Sequence, residues 1–435
     1  MNIHFIGVGG IGISALAQYF LSNGHKVSGS DLVSSEITEL LKNKGTKINI
    51  GKHKIKNISE NTDLVIYSPA IQENNPELEV ARKNKIKCQS YPEALGDLTK
   101  KYFTIAISGT HGKSTTTAMT ALLLIKAGLD PTVILGTKLK EFNNSNFRKG
   151  KSKYLIIEAD EWKASFLNYF PQIIALTNIE EEHLDYYKDI KHILRTYQEY
   201  ISHSDKGTLI INGKDKNIKK LVFDSRFSIF DFQSLKLKYG KKLKQILKIP
   251  GEHNISNALI ALNIAHILKI SDKVSYKSLS KYKGTWRRFE EYELKIGNFK
   301  LKIISDYAHH PTEIDVTLKA VREKFPNKKI WCIFQPHQYQ RTFYLFKNFI
   351  KTFKQAINIS GINKIIITDI YDVAGREKKS IKNKINSEKL IKEINNPLAI
   401  YLPKNKIKNY IKKHAKGKEI IIIMGAGDIY KVLNN

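Results

Sequence analysis

Apolar, β-branched runs alternate with helix-period segments along the whole chain. "NIHFIGV", "DLVIYS", "YFTIAISG", "YLIIEAD", "IIALTN", "GTLIIN", "KIWCIFQ", "KIIITDIY" and "EIIIIMGAG" read as strands, with helical patterns between them. This alternation predicts an α/β fold of layered, mostly parallel sheets. Two connections look like boundaries: "YPEALGDLTKK" before the third of these strands, and "SLSKYKGTWRRFEE" after a predicted helix Asn254–Leu268. They divide the chain into three expected domains, 1–100, 101–283 and 284–435. No internal repeat and no low-complexity linker interrupts the pattern.

A length of 435 residues accommodates two or three cores. The 42% hydrophobic and 26% charged fractions are ordinary for a globular protein. The net charge of +31 raises nucleic-acid binding. Its lysines are scattered, as in "KNKGTKINIGKHKIKN" and "IKKHAKGKEI", and no nucleic-acid module accompanies them, so the charge reads as a solvated surface. No apolar run approaches the length of a membrane span, and the chain enters a strand at once, so neither an anchor nor a signal peptide is expected. Cys88 and Cys332 are far apart and have no Cys/His metal spacing around them, which points to a reducing, cytoplasmic setting.

Two glycine loops carry the chemistry. Gly7, Gly9, Gly10 and Gly12 follow the predicted strand Ile3–Ile6 and precede a predicted helix Ser14–Asn23. Small residues let backbone approach a diphosphate, and a helix N-terminus supplies N–H groups and a positive dipole. Asp31 ends the next strand, where a dinucleotide fold places its ribose-reading acid. The second loop, "SGTHGKST", follows a predicted strand Tyr102–Ser108 and opens a predicted helix Thr115–Ala127. Its amides can cradle phosphates, Lys113 can reach β/γ oxygens, and the Ser114 hydroxyl can ligand Mg²⁺. The usual first glycine of a phosphate loop would fall at Ile107; Gly109 and Gly112 give a shortened turn instead.

"HFIGVGGIGIS", "GTHGKSTTT", "EADE…ASFL", "TNIEEEHLDYY", "IPGEHNISNALIAL", "WRRFE", "SDYAHHPTEI", "FQPHQYQRT" and "MGAGDIY" together resemble the Mur ligases. These are the ATP-dependent amide-forming enzymes of peptidoglycan precursor synthesis, and the resemblance covers nearly the whole chain. It implies a Rossmann-like N-terminal domain, a central P-loop ATPase-like parallel-sheet domain and a C-terminal Rossmann-like domain. Within the family the pattern is closest to members that join L-alanine to the lactyl carboxylate of UDP-N-acetylmuramate. One loop would then hold the UDP-sugar and the other ATP. Phosphorylation of the carboxylate would give an acyl phosphate, which the amine displaces through a tetrahedral intermediate. Both steps concentrate negative charge, so positioned cations should carry most of the catalysis.

The resemblance implies roles residue by residue. Lys113, Glu158 and His183 are the expected catalytic set, with Ser114, Glu158 and His183 as Mg²⁺ ligands. ATP is expected on Gly109, Thr110, His111, Gly112, Lys113, Ser114 and Thr115. Asn254 and Asn257, beside His253, would contact the adenine, although helix capping explains Asn254 equally well. Arg288 and Asp306 would close on ATP. The UDP-sugar is expected on Gly9, Gly10, Ile11, Gly12, Asp31 and Ser68. His310, His337 and Arg341, with His309 nearby, would line the amino-acid site, where an arginine could hold the alanine carboxylate bidentately. "AHHPTE" also fits an ordinary capped helix start. Asp160 and Glu161 are secondary candidates for the substrate pocket.

Three departures from the family pattern stand out. Trp162 and Lys163 occupy the place of a Ser-Asp pair after "EADE", and Pro69 that of a small polar residue. "HILRTYQEY" offers Arg195 and Tyr197 but no lysine suited to carbamylation. Three rivals remain at this stage: a recycling ligase that attaches a whole peptide, an NAD-dependent oxidoreductase, and a basic nucleic-acid-dependent ATPase. The oxidoreductase leaves Lys113, Ser114 and the acid–His series unexplained.

Overall fold

The computed structural model describes residues 1–203, 207–297, 299–373 and 379–433. The chain forms two compact units: one comprises residues 1–180, 191–240 and 257–279, the other 181–190, 241–256 and 280–435.

The first unit carries two sheets. The N-terminal sheet contains β1 (Asn2–Ile6), β2 (Lys26–Asp31), β3 (Lys47–Ile50), β4 (Leu64–Tyr67) and β5 (Lys87–Ser90), all parallel, in the order β3-β2-β1-β4-β5. The order reverses between β1 and β4, the point at which doubly wound sheets open a ligand crevice. The glycine loop leaves β1 there, and Ser68 leaves β4 beside it. The second sheet contains β6 (Phe103–Ser108), β7 (Thr132–Leu139), β8 (Ser145–Arg148), β9 (Tyr154–Ala159), β10 (Ile173–Leu176), β11 (Gly207–Ile211) and β12 (Phe227–Asp231). Its order is β12-β11-β10-β6-β9-β7-β8, parallel except for the β7–β8 pair. The phosphate-type loop leaves β6 between the ends of β9 and β10.

The second unit carries β13 (Glu290–Ile296), β14 (Phe299–Asp306), β15 (Ile330–Phe334), β16 (Lys364–Ile367), β17 (Ala399–Tyr401) and β18 (Ile420–Met424). The order is β13-β14-β18-β15-β16-β17, with β13–β14 antiparallel. β15 and β18 are buried along their full length, as continuous apolar runs in the middle of a covered sheet require. Burying each isoleucine of β18 contributes roughly 1.5–3 kcal/mol.

All nine apolar runs are strands. The hairpin strands β7, β8, β13 and β14 do not stand out in the hydrophobic pattern: β13 reads "EEYELKI", with charges on its open face, and Gly136 interrupts β7. The helices begin earlier than the periodicity suggests, at Ile11–Ser22, Lys113–Lys126 and Glu252–Ile267. The reason at the first two is the same: a glycine, Gly10 or Gly112, serves as N-cap and lets the loop run straight into the helix. Cys88 and Cys332 are both free thiols. Among the described residues, no helix is long and apolar enough to cross a membrane.

Candidate active site

The phosphate-type loop is held open by its neighbours in the first unit. Gly109 and Gly112 adopt φ of +124° and +84°, conformations that side chains disfavour. The end of β10 clamps the turn: Asn178 O accepts from Thr110 N at 2.9 Å and Asn178 Oδ1 from His111 N at 2.9 Å. Thr177 Oγ1 donates to His111 O at 2.7 Å, and Thr110 Oγ1 accepts from Glu180 N at 2.8 Å. The His111 ring lies 3.4 Å from the Glu180 carboxylate. The first-turn amides that follow, at Lys113, Ser114 and Thr115, have no intrahelical acceptor, the feature that lets a helix N-terminus take an anion.

Lys113 lies half-buried across the mouth of this turn. Its ammonium donates to Gly109 O at 2.5 Å, Thr110 O at 3.3 Å and Glu161 Oε2 at 2.8 Å. Burial pulls its pKa down, but Glu161 and Asp160 outweigh it, so the lysine stays charged. Burial pushes the Glu161 carboxyl up, Lys113 offsets part of the rise, and the group sits at about 7. Ser114 Oγ donates to Glu158 Oε2 at 2.9 Å, while Gly136 N donates to Glu158 Oε1 at 2.6 Å. Glu158 belongs to β9 itself rather than following it. The structure therefore brings Lys113, Ser114, Glu158, Glu161 and Asp160 together on one turn.

Asn257 faces the same loop: its Oδ1 accepts from Thr116 Oγ1 at 3.2 Å, and a Cβ on Gly112 would lie 2.5 Å from that oxygen. Asn254, in the second unit, donates to Pro250 O at 2.6 Å, a bond within the helix start. His253 is held neutral by burial, which lowers its pKa to about 4.

The N-terminal loop has a matching design. Gly7 N and Val8 N donate to Ser30 O at 2.9 and 3.1 Å, and Gly9 N donates to Asp31 Oδ2 at 2.8 Å. A Cβ on Gly12 would lie 2.9 Å from the Tyr91 ring and its hydroxyl, so a larger residue there would have to push that ring aside. Helix Ile11–Ser22 starts with no side-chain cap and no acid in its first turn. Ser68 packs against Gly7.

Two links that sequence reasoning did not expect join the two sheets of this unit. The β7–β8 hairpin places Asn146 against helix Ile11–Ser22, where it donates to Ser14 Oγ at 2.9 Å and to Ile11 O. The other link is Lys163, which donates to Pro69 O at 2.9 Å, so two of the departures from the family pattern meet. Lys163 and Ala164 both take left-handed φ, 51° and 54°, a strained pair just past Glu161.

The second unit gathers the other candidates. Asp306 is buried and accepts from Phe289 N and Ala308 N, each at 2.8 Å. Burial raises its pKa, and Arg288 offsets part of that. The Arg288 guanidinium lies 4.7 Å from the centre of the Tyr307 ring. His310 caps helix Pro311–Lys324, accepting from Thr312 N at 3.3 Å, so "AHHPTE" is a capped helix start. His309 pairs with Glu313 at 3.1 Å. His337 stacks on Tyr371 with ring centres 5.5 Å apart, and its Nδ1 accepts from Arg341 Nη1 at 3.0 Å. Arg341 also donates to Glu182 Oε1 from Nε at 2.9 Å and Nη2 at 2.6 Å. Burial would raise Glu182, but Arg341 and His183 hold it well below the usual range. His183 lies in this unit at φ 54°, and its carbonyl accepts from Tyr186 N and Tyr187 N, both at 2.9 Å. Glu182 was not singled out from sequence, because one acid among "EEEH" carries no mark of its partner.

Comparison with known proteins identifies the family. The sequence matches the Mur ligase family, catalytic domain, over residues 2–103, the Mur ligase middle domain over 107–265, and the Mur ligase, glutamate ligase domain over 287–427. It is 40% identical to a UDP-N-acetylmuramate–L-alanine ligase of Clostridium botulinum strain Okra, over 99% of this chain and 96% of that protein. The chain belongs to the Mur ligase family. Ligases of the same description from Clostridium acetobutylicum and Acetivibrio thermocellus are each 41% identical over 99% of the chain and 96% and 94% of their own lengths. Among solved Mur ligase folds, a UDP-N-acetylmuramate-alanine ligase from Thermotoga maritima superposes with a TM-score of 0.79 at 26% identity, covering 100% of this chain and 97% of that one. A murein peptide ligase from Psychrobacter arcticus shares the fold, with a TM-score of 0.71 at 22% identity and coverage of 100% and 97%.

Proposed function

We infer that this chain joins L-alanine to the lactyl carboxylate of UDP-N-acetylmuramate, using ATP. The observation that carries the reading is the near full-length similarity, at 40–41% identity, to ligases of that substrate pair. The clamped phosphate turn with Lys113 supports the ATP half. The recycling alternative is represented by fold neighbours at 21–22% identity, which speak to the fold alone. The nicotinamide alternative accounts for the first loop alone.

In this reading segments 1–100, 101–283 and 284–435 divide the work: UDP-sugar on the N-terminal loop, ATP phosphates on the central turn, amino acid and the rest of ATP on the third. Lys113 and the first-turn amides hold the transferring phosphoryl group in line with the lactyl oxygen. The carboxylate takes that phosphoryl group and ADP leaves. The alanine nitrogen then adds to the acyl carbon, and the tetrahedral intermediate expels phosphate. Ser114 Oγ and the Glu158 carboxylate are adjacent oxygen donors, which fits a hard Mg²⁺ ion. Such an ion, when bound, neutralises phosphate charge. Arg341, with His337 beside it, would receive the alanine carboxylate by exchanging part of its contact with Glu182.

The direct test is phosphate release with UDP-N-acetylmuramate, ATP and Mg²⁺ as each amino acid is added in turn. Release that depends on L-alanine is expected, with glycine or serine discriminated by only about 1–3 kcal/mol, because one methyl is weakly read. Release that requires a tripeptide instead would overturn the assignment.

Two further outcomes follow from the geometry. Glu158→Gln removes the charge and can keep an acceptor for Ser114 only by giving up the one that Gly136 N uses. Turnover should fall roughly a hundredfold and the Mg²⁺ required for half-maximal rate should rise. An unchanged Mg²⁺ dependence would exclude Glu158 from the metal site. ATP binding should also take up a proton near neutral pH. When phosphate draws Lys113 away, the influence that lowers Glu161 is lost, and its pKa climbs from about 7. Binding therefore weakens as pH rises through that region, with protonated Glu161 favoured in the complex. Calorimetry in buffers of different ionisation enthalpy reads the proton count. Zero uptake at pH 7 would contradict this account.

A further inference from the structure

Under the N-terminal loop lies a buried acid that none of the chemistry above uses. Glu77, in the first turn of helix Pro76–Lys83, is 0% exposed. Its carboxylate accepts from Ser30 Oγ and Asn57 Nδ2, each at 2.6 Å, from His4 Nε2 and His53 Nδ1, each at 3.2 Å, and from Lys54 N at 3.3 Å. Burial alone would raise the carboxyl, but these donors hold it well below the usual range. An acceptor-only anion with every donor satisfied is a stiff node, because moving any one donor leaves a polar group unpaired in the interior.

Ser30 joins that node to the loop. Its hydroxyl donates to Glu77, while its carbonyl takes both Gly7 N and Val8 N. The next residue, Asp31, takes Gly9 N. The loop backbone therefore hangs from two consecutive residues of β2, and Glu77 pins the first of them from below. His4 on β1 donates to the same carboxylate from one ring nitrogen, and its other nitrogen lies 2.9 Å from Ser28 Oγ, so β1 and β2 are both fixed to one charge.

We propose that Glu77 is a positioning residue for the UDP-sugar loop, acting through Ser30 on the backbone of Gly7 to Gly9. The proposal rests on the reading that this loop binds UDP-N-acetylmuramate. Its signature is selective. Because a pinned loop serves one substrate, loosening it raises that substrate's KM and leaves ATP and the chemical step alone.

The test is steady-state kinetics of the full chain with Ser30→Ala and Glu77→Gln, together with calorimetric binding of UDP-N-acetylmuramate. Ser30→Ala removes one hydroxyl and leaves the other donors in place, so it should fold. It should raise the UDP-sugar KM about five- to tenfold, with kcat and the ATP KM within about twofold. Glu77→Gln places an amide N–H₂ against a ring of donors and should raise that KM at least as far. If Ser30→Ala lowers only thermal stability, or shifts both KM values equally, Glu77 is a core residue and the proposal falls. Normal binding by the unaltered protein and by both variants also overturns it while leaving the loop assignment intact. Absence of binding by the unaltered protein overturns the loop assignment itself, and this inference with it.

Discussion

Replacing Lys113 with alanine is expected to lower turnover by about a thousandfold or more, roughly 4 kcal/mol of transition-state stabilisation, in a protein that still folds. The ammonium is pinned over the turn by Gly109 O, Thr110 O and the buried Glu161, with its own side chain only 15% exposed. A charge held there acts on developing phosphoryl charge without reorganisation, which is why its removal costs far more than a surface charge would. The expected survival of the fold needs its own argument, because deleting one member of a buried pair normally strands the other. Here the stranded group is Glu161, already raised to about 7 by burial with Lys113 pulling against it. Without Lys113 it rises further, binds a proton at neutral pH and carries no charge. The loss of stability should then be about 1–3 kcal/mol, the scale of the hydrogen bonds removed. Kinetics and circular dichroism on Lys113→Ala check both halves. Near-normal turnover would sink the ATP assignment.

What the sequence made legible follows from how locally each feature is encoded. A strand that feeds a glycine turn and then a helix is a contiguous pattern, and both loops were found with their strands. Lys113 and Ser114 could be placed at the head of a helix from the loop pattern alone, whereas Glu158 was named only through the resemblance; the structure sets its carboxylate against Ser114. Partners arriving from elsewhere in the chain were not legible. Thr177 and Asn178 clamp the phosphate turn from β10, yet as a "TN" pair after a strand they look like any loop start. Asn254 and Asn257 are three positions apart on one helix and could not be separated by spacing. The structure gives the first a bond to Pro250 within the helix start and the second a contact with Thr116. Glu77 reads as one acid in an amphipathic helix, "PELEVARK", because the five donors that define it come from other segments. The hairpins escaped for different reasons. β13 alternates with glutamate and lysine on a part-exposed strand, which dilutes its apolar signal, while β7 and β8 are mostly buried but Gly136 breaks the apolar run of one and "SNFR" makes up the other.

Glycine substitutions test the shape of the phosphate turn itself, and Gly109→Ala is expected to be among the most damaging single methyl additions in the chain. At Gly109 two penalties coincide. Its φ of +124° lies in a region that alanine rarely enters, and a Cβ there would fall 2.1 Å from Thr177 Oγ1 and 2.8 Å from Asn178 O. Neither atom can yield freely. Thr177 Oγ1 is bound to His111 O, and the Asn178 carbonyl is bound to Thr110 N, so relief of the clash dismantles the clamp that shapes the turn. The Gly109 carbonyl that holds Lys113 would turn with it. A loss of about 3 kcal/mol or more in stability is expected, with turnover reduced about a thousandfold. Gly112→Ala provides a graded comparison: its φ is +84° and its new Cβ meets Asn257 Oδ1 at 2.5 Å. A side-chain amide can swing aside, so the effect should be about ten- to hundredfold, from roughly 1–2 kcal/mol of left-handed strain and the weakened Thr116 contact. Gly24→Ala isolates the backbone effect, with φ +81° and no atom within 4 Å. It should cost about 1 kcal/mol of stability and leave turnover unchanged. The order Gly109, Gly112, Gly24 in both thermal unfolding and turnover is the outcome that the clamped turn requires. A Gly109→Ala enzyme no worse than Gly24→Ala would mean that the contacts from β10 do not shape the loop.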